Sequence, residues 1–548
     1  MIKLHKSRSI SGRQPQDPPL SEARAVGDRM PQSPPEQNSK SSPLAVPLKG
    51  WTEVNSLLDD GGLSVSENVF PTTRGLRVRG GAERAATTGG DAVTKMFNYK
   101  SSTVEKLFAA TETDVYDISG LDDAVAPTAD ITTQTGGDYS THYFGTVGGQ
   151  FMFLVNGQNA ARYFNGSAWA LTTITGVDTA DLNYVWSHKN RVWFVEKNSN
   201  VAWYLPIDSI GGAALSFSLE GVFKLGGSLL FGSVWSQDSG DGMDDRIVFV
   251  STLGEVAVYQ GTNPGEANDW AIVGVYKCDP PMGKDAHMKT GGDLMIATTS
   301  GLVGLSAIVS KDPVALSYDA VSRDIEPSWR YYAAISATAN WEITKWPLET
   351  MAVVAIPSSS SVCLPVNMNT GAWTKYTGWD VQSAALFDGD MYFGSRDGFI
   401  RKAESTGNDD GLSYVAKWAY SPQNFDAPIN IKHGHAMKVD FKASSAFTCQ
   451  LSMSGTGTAD FPAEPNPEVE EAIVTGSLWD IGVWDVDVWD GNVLADNNPP
   501  VVSTGWVAQG VTGETLIPQM QITMDSPNRP GIEMAVCSVL WETGAAVV

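Results

Sequence analysis

A unit of two short apolar strands joined by a polar turn recurs seven times between residues 104 and 403. The copies lie at residues 104–119, 150–164, 190–205, 245–261, 292–306, 351–366 and 389–403. Their strand centres, from Leu107 to Tyr392, are on average roughly 47 residues apart. A hairpin that recurs every 40 to 50 residues or so is typical of β-propeller blades. Turns such as Asn156-Gly157 supply the positive φ that tight hairpins need.

The strands of this unit lack a polar face. Residues 151–155 and 247–250 are apolar at every position, whereas a strand with one solvated face alternates. A propeller blade is covered by a neighbour on both faces, so its inner strands can be apolar throughout. The pattern favours a six- or seven-bladed β-propeller over residues 91–406, in which steps of 54 and 59 residues leave room for another strand pair. A large β-sandwich with two-sided strands is the alternative, but it gives no reason for a near-constant period.

A different pattern follows the linker predicted at residues 407–411. Lys438 and Asp440 alternate with apolar residues, which indicates a strand with one wet face. We therefore predict a C-terminal β-sandwich-like domain over residues 407–548. Within it, Trp479, Trp484 and Trp489 are five residues apart and each precedes Asp. That period fits neither helix nor strand, so we expect successive turns whose indoles lie in a core or at an interface.

The N-terminal part of the chain has a composition of its own. Residues 1–45 are rich in Pro, Ser and charge, and such a segment buries too little apolar area to offset the entropy of ordering. We therefore predict a disordered, basic arm at residues 1–45, followed by an entry segment at residues 46–90 that packs on the propeller. The predicted fold class is all-β.

Charge is unevenly distributed along the chain. Residues 1–50 contain eight Lys or Arg and four Asp or Glu, a net charge of +4, so the formal charge of −25 leaves −29 on the remainder. A body this acidic repels phosphate and does not grip nucleic acid through its general surface. The simplest interpretation of this acidity is that it keeps the protein soluble. If the protein lines a conduit for DNA, the same negative charge would also keep the DNA from adhering to the wall.

Segments that would direct the chain into or across a membrane are not evident. No stretch approaches 18 consecutive apolar residues, and no apolar run follows Lys3, Lys6 and Arg8, so we predict neither a spanning helix nor a secretory signal. The four cysteines are at least 85 residues apart and form no CxxC pair. This spacing favours assembly in a reducing cytoplasm without a disulfide framework.

The usual catalytic and cofactor motifs are missing from the sequence: it has no GxxxxGK[ST], HExxH, GxSxG or GxGxxG. His433 and His435 would share a strand face, but without a third ligand we interpret them as a surface pair. Residues 238–245 are rich in Asp but lack the closing Glu of a calcium loop, so we expect a solvated loop. We predict no catalytic residue, no cofactor and no metal.

Two further function classes stay open because propellers host both. A glycoside hydrolase needs clustered carboxylates at one end of the funnel; Asp117, Glu196 and Glu255 are candidates, but nothing separates them from turn and surface carboxylates. A receptor- or carbohydrate-binding module would instead expose an aromatic-lined funnel. The indoles to inspect for that function are Trp186, Trp193 and Trp203.

The segments that flank the repeats carry a more specific signal. Gly50-Trp51, then Asn68-Val-Phe-Pro71, then Arg77-Val-Arg79-Gly80-Gly81 follow one another before the first hairpin. The chain ends with an apolar strand at residues 532–541 and Gly544. From about residue 45 to the end, this order resembles bacteriophage tail proteins of the nozzle or hub (tail tube) β-propeller type in short-tailed phages.

That resemblance implies a structural virion protein and not an enzyme. Such proteins form a ring, here expected to be a homohexamer, below the portal and adaptor proteins, and genomic DNA leaves through its centre without sequence-specific binding. The implied partners are further copies of the chain, the portal and adaptor, and tail fibre or tail spike proteins. The implied location is the phage tail, after assembly in the host cytoplasm. As interaction residues we select Trp51, Arg77, Arg79, Trp479, Trp484 and Trp489.

Overall fold

The computed structural model describes residues 39–53, 61–236, 245–266, 268–357, 361–443, 447–455, 457–464, 501–529 and 531–546. Within them the chain consists mainly of β-strands with a few short helices. The predicted arm up to residue 38 and the turns with Trp479, Trp484 and Trp489 lie outside the described residues. Of the Asp-rich segment 238–245, only Asp245 is described.

Seven antiparallel sheets follow one another along the chain. Sheet 1 consists of Lys95–Lys100, Glu105–Ala110, Val115–Asp117 and Ala129–Ile131. Sheet 2 consists of Ser140–Thr146, Gly149–Val155, Arg162–Phe164 and Trp169–Leu171. Sheet 3 consists of Leu182–His188, Arg191–Glu196, Val201–Tyr204 and Leu215–Ser218. Sheet 4 consists of Leu229–Trp235, Arg246–Ser251, Glu255–Gln260 and Ala271–Lys277.

The last three sheets complete the series. Sheet 5 consists of His287–Thr290, Asp293–Thr298 and Gly301–Gly304. Sheet 6 consists of Glu342–Trp346, Met351–Ala355, Val362–Asn367 and Tyr376–Thr377. Sheet 7 consists of Ser383–Phe387, Asp390–Gly394, Phe399–Thr406 and Gly81–Thr87. Each of the seven predicted hairpins forms the second and third strands of one sheet, so the repeat is confirmed.

The second strands are apolar because each is covered on both faces. In Arg191–Glu196, Trp193 packs in a cluster with Phe249 of sheet 4, whereas its neighbour Phe194 packs with Phe153 of sheet 2. Successive strand side chains point to opposite faces, so sheet 3 lies between sheets 2 and 4. This is the burial pattern of a propeller, and it explains why no polar face alternates.

The first strands of the sheets contact one another in a closed circuit. In order the contacts are Tyr143 Oη with Asn98 O, His142 Nε2 with Ser187 Oγ (2.8 Å), Tyr184 with Phe231 (ring centroids 6.1 Å), Phe231 with His287 (4.3 Å), Lys345 Nζ with Lys289 O (2.7 Å), Thr344 Oγ1 with Ala384 O (3.3 Å) and Met96 N with Ser383 Oγ (2.9 Å). Sheet 7 thus returns to sheet 1. The chain is an all-β protein with a propeller.

The circuit is closed by a strand from the N-terminal side. Gly81–Thr87 pairs with Phe399–Thr406, more than 300 residues later, and becomes the fourth strand of sheet 7. The propeller therefore begins at Gly81, and the predicted start at residue 91 is ten residues late. Pairing the two ends of the propeller in one sheet prevents the circle from opening by the loss of a single local turn.

Short helices occupy the longest step of the repeat. After sheet 5 come Leu305–Ser310, Leu316–Asp319 and Glu326–Ile335, with 3-10 turns at Pro313–Ala315 and Arg323–Ile325. Further 3-10 turns lie at Thr179–Asp181 and Pro347–Glu349, and a two-residue parallel pair joins Ile174–Thr175 to Gly212–Ala213. The 59-residue step thus contains helices and not an additional strand pair.

Two more sheets form the C-terminal region. Sheet 8 joins Val501–Ser503, Asn430–Lys442, Glu533–Ala546, Leu76–Val78 and Val69–Pro71, with Lys40–Leu44 and Val507–Gly513 attached. Sheet 9 joins Gly50–Trp51, Gly62–Glu67, Tyr414–Tyr420, Ile517–Met524 and Cys449–Ser454. Both sheets contribute to one buried cluster, in which Phe441 and Val539 of sheet 8 pack with Trp418 and Met520 of sheet 9.

These sheets correct two predicted boundaries. The entry segment 46–90 does more than pack on the propeller, because its strands at residues 50–78 are integral to sheets 8 and 9. The end of the predicted arm is also ordered: Lys40–Leu44 pairs with Cys537–Trp541, and Trp541 Nε1 donates to Ser42 Oγ at 2.9 Å. The sequence pattern missed both because the strands that tie these segments into sheets 8 and 9, such as Tyr414–Tyr420 and Glu533–Ala546, lie hundreds of residues later in the chain.

Candidate functional site: the domain junction and the propeller axis

Arg79 lies at the centre of a junction between four segments of the chain. Its side chain is fully buried. The guanidinium donates to Asp409 Oδ2 at 2.6 Å, to Asn68 Oδ1 at 2.9 Å and to Thr377 O at 3.1 Å, and it lies 3.8 Å from the ring centroid of Tyr414. The four partners come from the entry segment, sheet 6, the predicted linker and sheet 9. Residues 407–411 are therefore held in place by ion pairs and do not form a free linker.

Arg77 forms a second buried charge cluster two residues earlier. It donates to Glu404 and, at 3.1 Å, to Glu349 Oε2, while Arg529 donates to the same two carboxylates at 2.8 and 2.9 Å. Glu404 also accepts from the hydroxyl of Tyr376 at 2.9 Å. Burial alone would raise the pKa of Glu404, but Arg77 and Arg529 hold that pKa below its ordinary value. The cluster joins sheets 6 and 7 to the C-terminal region.

The glycines after Arg79 are required by close backbone contact. A Cβ on Gly80 would lie 2.6 Å from the Cα of Glu404, and one on Gly81 would lie 1.8 Å from the carbonyl oxygen of Asn408. A side chain at either position would therefore push the entry strand away from sheet 7 and from the linker. The Arg-x-Arg-Gly-Gly order thus places two buried cations and then two residues that allow close approach.

Asn68 and Trp51 attach the same segment at other points. The Asn68 amide donates to Thr377 Oγ1 at 2.8 Å and to Val415 O at 2.7 Å. Trp51 is buried in a cluster with Trp329 and Trp373, and its backbone N–H donates to Trp373 O at 2.8 Å. Asn68 therefore belongs to the Arg79 junction, whereas Trp51 attaches the entry segment to a separate buried cluster.

The predicted interaction residues are placed as follows. Arg77 and Arg79 lie at the junction, whereas Trp51 is buried in a separate cluster with Trp329 and Trp373. A fully buried Arg79 offers no surface to a partner. Trp479, Trp484 and Trp489 lie outside the described residues. Sequence reasoning missed Glu404 and Asp409, since single carboxylates carry no signal until the fold brings them to the arginines.

A second polar network crosses the axis of the propeller. It is made where the first strands begin: Lys95 Nζ binds Asp285 Oδ2 at 2.9 Å and Glu342 Oε2 at 3.0 Å, and Glu342 accepts from Ser383 Oγ at 2.7 Å. Lys284 Nζ binds Asp138 Oδ2 and Asn183 O, both at 3.0 Å. The network connects sheets 1, 2, 3, 6 and 7 with the segment before sheet 5, so side chains obstruct the centre at this end.

The axis is open at the other end, where the first strands finish. There a cavity of about 540 Å³ lies between sheets 2, 3, 4 and 5. Its lining includes three histidines and two lysines: His142, His188, His287, Lys189 and Lys289. Tyr184 and His287 also line the cavity and are joined by a 3.3 Å hydrogen bond. Each is one or two residues along the chain from a member of the polar network, Asn183 or Asp285, so this pair forms the base of the cavity. The cavity is therefore closed on one side.

The histidines of the cavity are held in their neutral form. Burial lowers the pKa of His142, His188 and His287 to about 4 each. The charge of Lys289 acts on all three in the same direction, and Lys189 also acts on His188. Desolvation disfavours a charged imidazole and nearby cations add to that effect, so near neutral pH these rings serve as neutral donors and acceptors.

The other candidates from the sequence have structural contacts. Asp117 pairs with Lys106 at 2.7 Å, Glu196 accepts from Trp203 Nε1 at 2.8 Å, and Glu255 accepts from the backbone N–H of Lys224 at 2.9 Å. These carboxylates lie on three different sheets. Trp186 lines the axial cavity, whereas Trp193 is buried between sheets.

His433 and His435, the pair predicted to share a strand face, each contact a different neighbour in sheet 8. His433 Nδ1 bonds Thr512 Oγ1 at 2.8 Å, and His435 lies 3.5 Å from Glu542. In the described part of the chain no group of three or more His, Cys, Asp or Glu is arranged to hold a metal ion. No described helix is both long and apolar enough to cross a membrane.

Comparisons with known proteins return likeness in structure only. No protein-family model and no curated protein matches the chain. Among solved structures, the WD40 β-propeller domain of Doa1 covers 59% of this chain and 97% of its own at 12% identity and a TM-score of 0.34. BamB from Moraxella catarrhalis covers 66% and 97% at 10% identity and a TM-score of 0.35. At these scores the likeness carries no argument about function, and the fold assignment rests on the chain's own sheets.

Proposed function

We propose that this chain is a structural subunit of a phage tail, of the nozzle or hub (tail tube) type, that forms a ring below the portal and adaptor. The observation that carries the proposal is the junction of Arg77 and Arg79, which joins the signature segment, the last propeller sheets and the C-terminal region through buried ion pairs. A subunit that bears load between neighbours needs its parts joined in this way. The proposal includes a closed seven-bladed propeller and a sandwich-like C-terminal domain made of sheets 8 and 9.

The blocked axis supports a conduit made between copies. Because Lys95, Lys284 and their partners cross the propeller centre, DNA would pass through the ring of subunits and not through a single propeller. A charge of −29 beyond residue 50 gives the ring acidic walls, along which DNA slides without adhering. The proposed ring is a homohexamer located in the virion and assembled in the host cytoplasm.

An exposed apolar edge strand is the contact surface that we propose between neighbouring copies of the chain. Ala271–Lys277 is the outermost strand of sheet 4, and Ile272, Val273 and Val275 on it are exposed. Such an edge is a template for pairing with another chain. It contains no carboxylate, so contact there avoids the repulsion expected over the rest of an acidic body.

Electron microscopy of the purified chain and of the phage particle tests this function. We expect a closed ring of identical subunits below the portal, with Asp and Glu lining its opening. A chain that stays monomeric at high concentration and is missing from particles would contradict the proposal, as would an opening dominated by Lys and Arg.

The second candidate is a carbohydrate- or receptor-binding module of the tail, favoured by the one-sided axial cavity with Trp186 in its wall. A screen against host glycans separates the two functions. Saturable glycan binding by single chains, without ring formation, would favour this candidate; a ring without glycan binding would favour the structural one.

A further inference from the structure

Lys284 is a buried lysine that contacts both a side-chain amide and a carboxylate. Only 2% of its side chain is exposed. Its Nζ lies 3.0 Å from Asn183 Oδ1 and 3.0 Å from Asp138 Oδ2, and it also binds the backbone carbonyl oxygens of these two residues, at 3.0 and 2.7 Å respectively. An amine, an amide and a carboxylate, here called the Lys284 triad, are therefore in direct contact within the polar network that crosses the propeller axis.

Two neighbours fix the orientation of the Asn183 amide. The charged Nζ of Lys284 can only donate hydrogen bonds, so the amide oxygen of Asn183 faces it and the Nδ2 group is turned away. A Cβ on Gly157 would lie 3.1 Å from the Asn183 Cβ, so the side chain packs against the turn of sheet 2. The amide carbon is only one C=O bond, about 1.23 Å, from the oxygen that contacts the amine. The amine can therefore reach that carbon with a small movement.

Asp138 is positioned to move protons between the other two groups. Its Oδ2 contacts the amine, while its Oδ1 accepts from Asn340 Nδ2 at 3.2 Å, which orients the carboxylate. A carboxylate at hydrogen-bond distance can accept a proton from a nucleophile and return it to a leaving group. The side chain of Asp138 is 53% exposed, so this side of the triad opens to solvent and ammonia can leave there.

Burial favours the neutral, nucleophilic form of the amine. The pKa of Lys284 is below its ordinary value, mainly because burial disfavours the charged form, and the nearby charge of Lys95 acts in the same direction. The carboxylates of Asp138 and Asp285 oppose this effect without cancelling it. A desolvated lysine close to another cation is an activated nucleophile. Holding it against the amide makes the attack intramolecular, which can correspond to effective molarities of about 10⁵ M or more.

We propose that Lys284 and Asn183 become joined by an isopeptide bond, with Asp138 as the acid–base group. The Lys284 ammonium gives one proton to the Asp138 carboxylate, and the resulting amine attacks Cγ of Asn183. The Nζ–Cγ bond forms and the Cγ–Nδ2 bond breaks. The proton on Asp138 and one further proton from Nζ pass to the departing nitrogen. The products are one amide cross-link and one ammonium ion, so atoms and charge balance without an oxidant or a cofactor.

The cross-link locks the propeller across its axis. Asn183 lies on the first strand of sheet 3, and Lys284 lies in the segment before sheet 5, 101 residues later. The bond therefore closes a covalent loop that contains all of sheet 4. Such a loop restricts the unfolded chain, as a disulfide does, so the propeller gains resistance to unfolding. The inference rests on the Lys284 triad and not on the function proposed above.

Mass spectrometry of the purified full chain tests the proposal. We expect the denatured chain to weigh less than its sequence by one ammonia. After trypsin digestion, one branched peptide should join residues 163–189 to residues 278–289, with no cleavage after the acylated Lys284. A mass equal to that of the sequence after prolonged incubation would overturn the proposal. Loss of ammonia with the two peptides still separate would also overturn it, because a succinimide formed at an asparagine gives that result.

Variants separate the chemistry from the fold. Asp138→Asn keeps the amine and the amide but removes the proton acceptor, so the rate of cross-linking, followed by mass in cell-free synthesis, should fall about a hundredfold or more with an unchanged circular dichroism spectrum. Lys284→Arg should abolish the cross-link. Asp117→Asn is the matched control, because Asp117 also pairs with a lysine, Lys106 at 2.7 Å, but on sheet 1 and outside the triad. Equal slowing in this control, or an undiminished rate in Asp138→Asn, would contradict the proposed chemistry.

Discussion

Arg79 is a buried charge whose value to the fold depends on its partner. A buried ion pair gains little over an apolar contact, because both charges lose their hydration. Removing one partner is costly, because it leaves the other charge buried and unpaired. The side chain of Arg79 is fully buried, and Asp409 contacts it through both carboxylate oxygens, at 3.0 and 2.6 Å.

Neutralising Asp409 should therefore destabilise the chain strongly. We expect Asp409→Asn to lower the free energy of unfolding by about 3 kcal/mol or more, in the range measured for broken buried pairs. Asp380→Asn is the matched control, because Asp380 pairs at 2.9 Å with Arg396, whose side chain is 43% exposed; its loss should cost about 1 kcal/mol or less. Urea unfolding measures both, and equal effects would show that burial of Arg79 does not set the cost.

The cavity histidines make stability depend on pH in a defined direction. Their pKa values are about 4 in the folded chain and near 6.5 when unfolded. Between these values the unfolded chain binds protons that the folded chain does not, so stability is full above pH 6.5 and falls as the pH drops toward 4. Urea unfolding at pH 7.5, 6.5 and 5.5 should show this decline before most carboxylates titrate.

A single histidine variant tests the source of that decline. His188→Asn should flatten the dependence between pH 7.5 and 5.5, because one buried imidazole no longer contributes. His433→Asn serves as the control, since His433 lies in sheet 8 and bonds Thr512 outside the cavity. A flattening in the control but not in His188→Asn would refute the assignment.

At the level of elements, the sequence predicts hairpins well, because their paired strands are close together along the chain. Each hairpin of the repeat has its turn residues and both apolar strands within about fifteen residues, so pattern alone indicates it. The pairing of Gly81–Thr87 with Phe399–Thr406 and of Lys40–Leu44 with Cys537–Trp541 has no such local signal. Arg79 could be selected from the sequence as part of the signature. Its contact with Asp409, which is 330 residues later, could not be predicted because only the fold brings the two side chains together.

The strand Lys40–Leu44 gives a test at this scale. Deleting residues 1–38 leaves every described contact in place, so we expect an unchanged melting temperature. Deleting residues 1–44 removes the strand that covers Cys537–Trp541 and the hydrogen bond from Trp541 to Ser42, and should lower the melting temperature by several degrees. Differential scanning calorimetry distinguishes them. Identical melting temperatures for the two truncations would mean that this strand adds no stability.

The whole molecule combines a strongly acidic body with exposed apolar edges. Copies that carry about −29 each beyond residue 50 repel one another over the Debye length, about 10 Å in 0.1 M salt. The edge strand Ala271–Lys277 presents Ile272, Val273 and Val275 to solvent, and burial of these side chains between copies would favour association. Repulsion weakens with salt, whereas burial of apolar surface does not.

Assembly of the proposed ring should therefore strengthen as ionic strength rises. We expect the dissociation constant of the assembly, measured by analytical ultracentrifugation, to fall severalfold between 0.05 and 0.5 M NaCl, because the Debye length shortens and like charges are screened. Sucrose at matched density is the control for effects of the medium. Val273→Lys should weaken assembly at every salt concentration, since a charge on an edge strand opposes pairing. If the assembly instead dissociates as the NaCl concentration rises, ion pairs and not apolar edge strands hold the copies together.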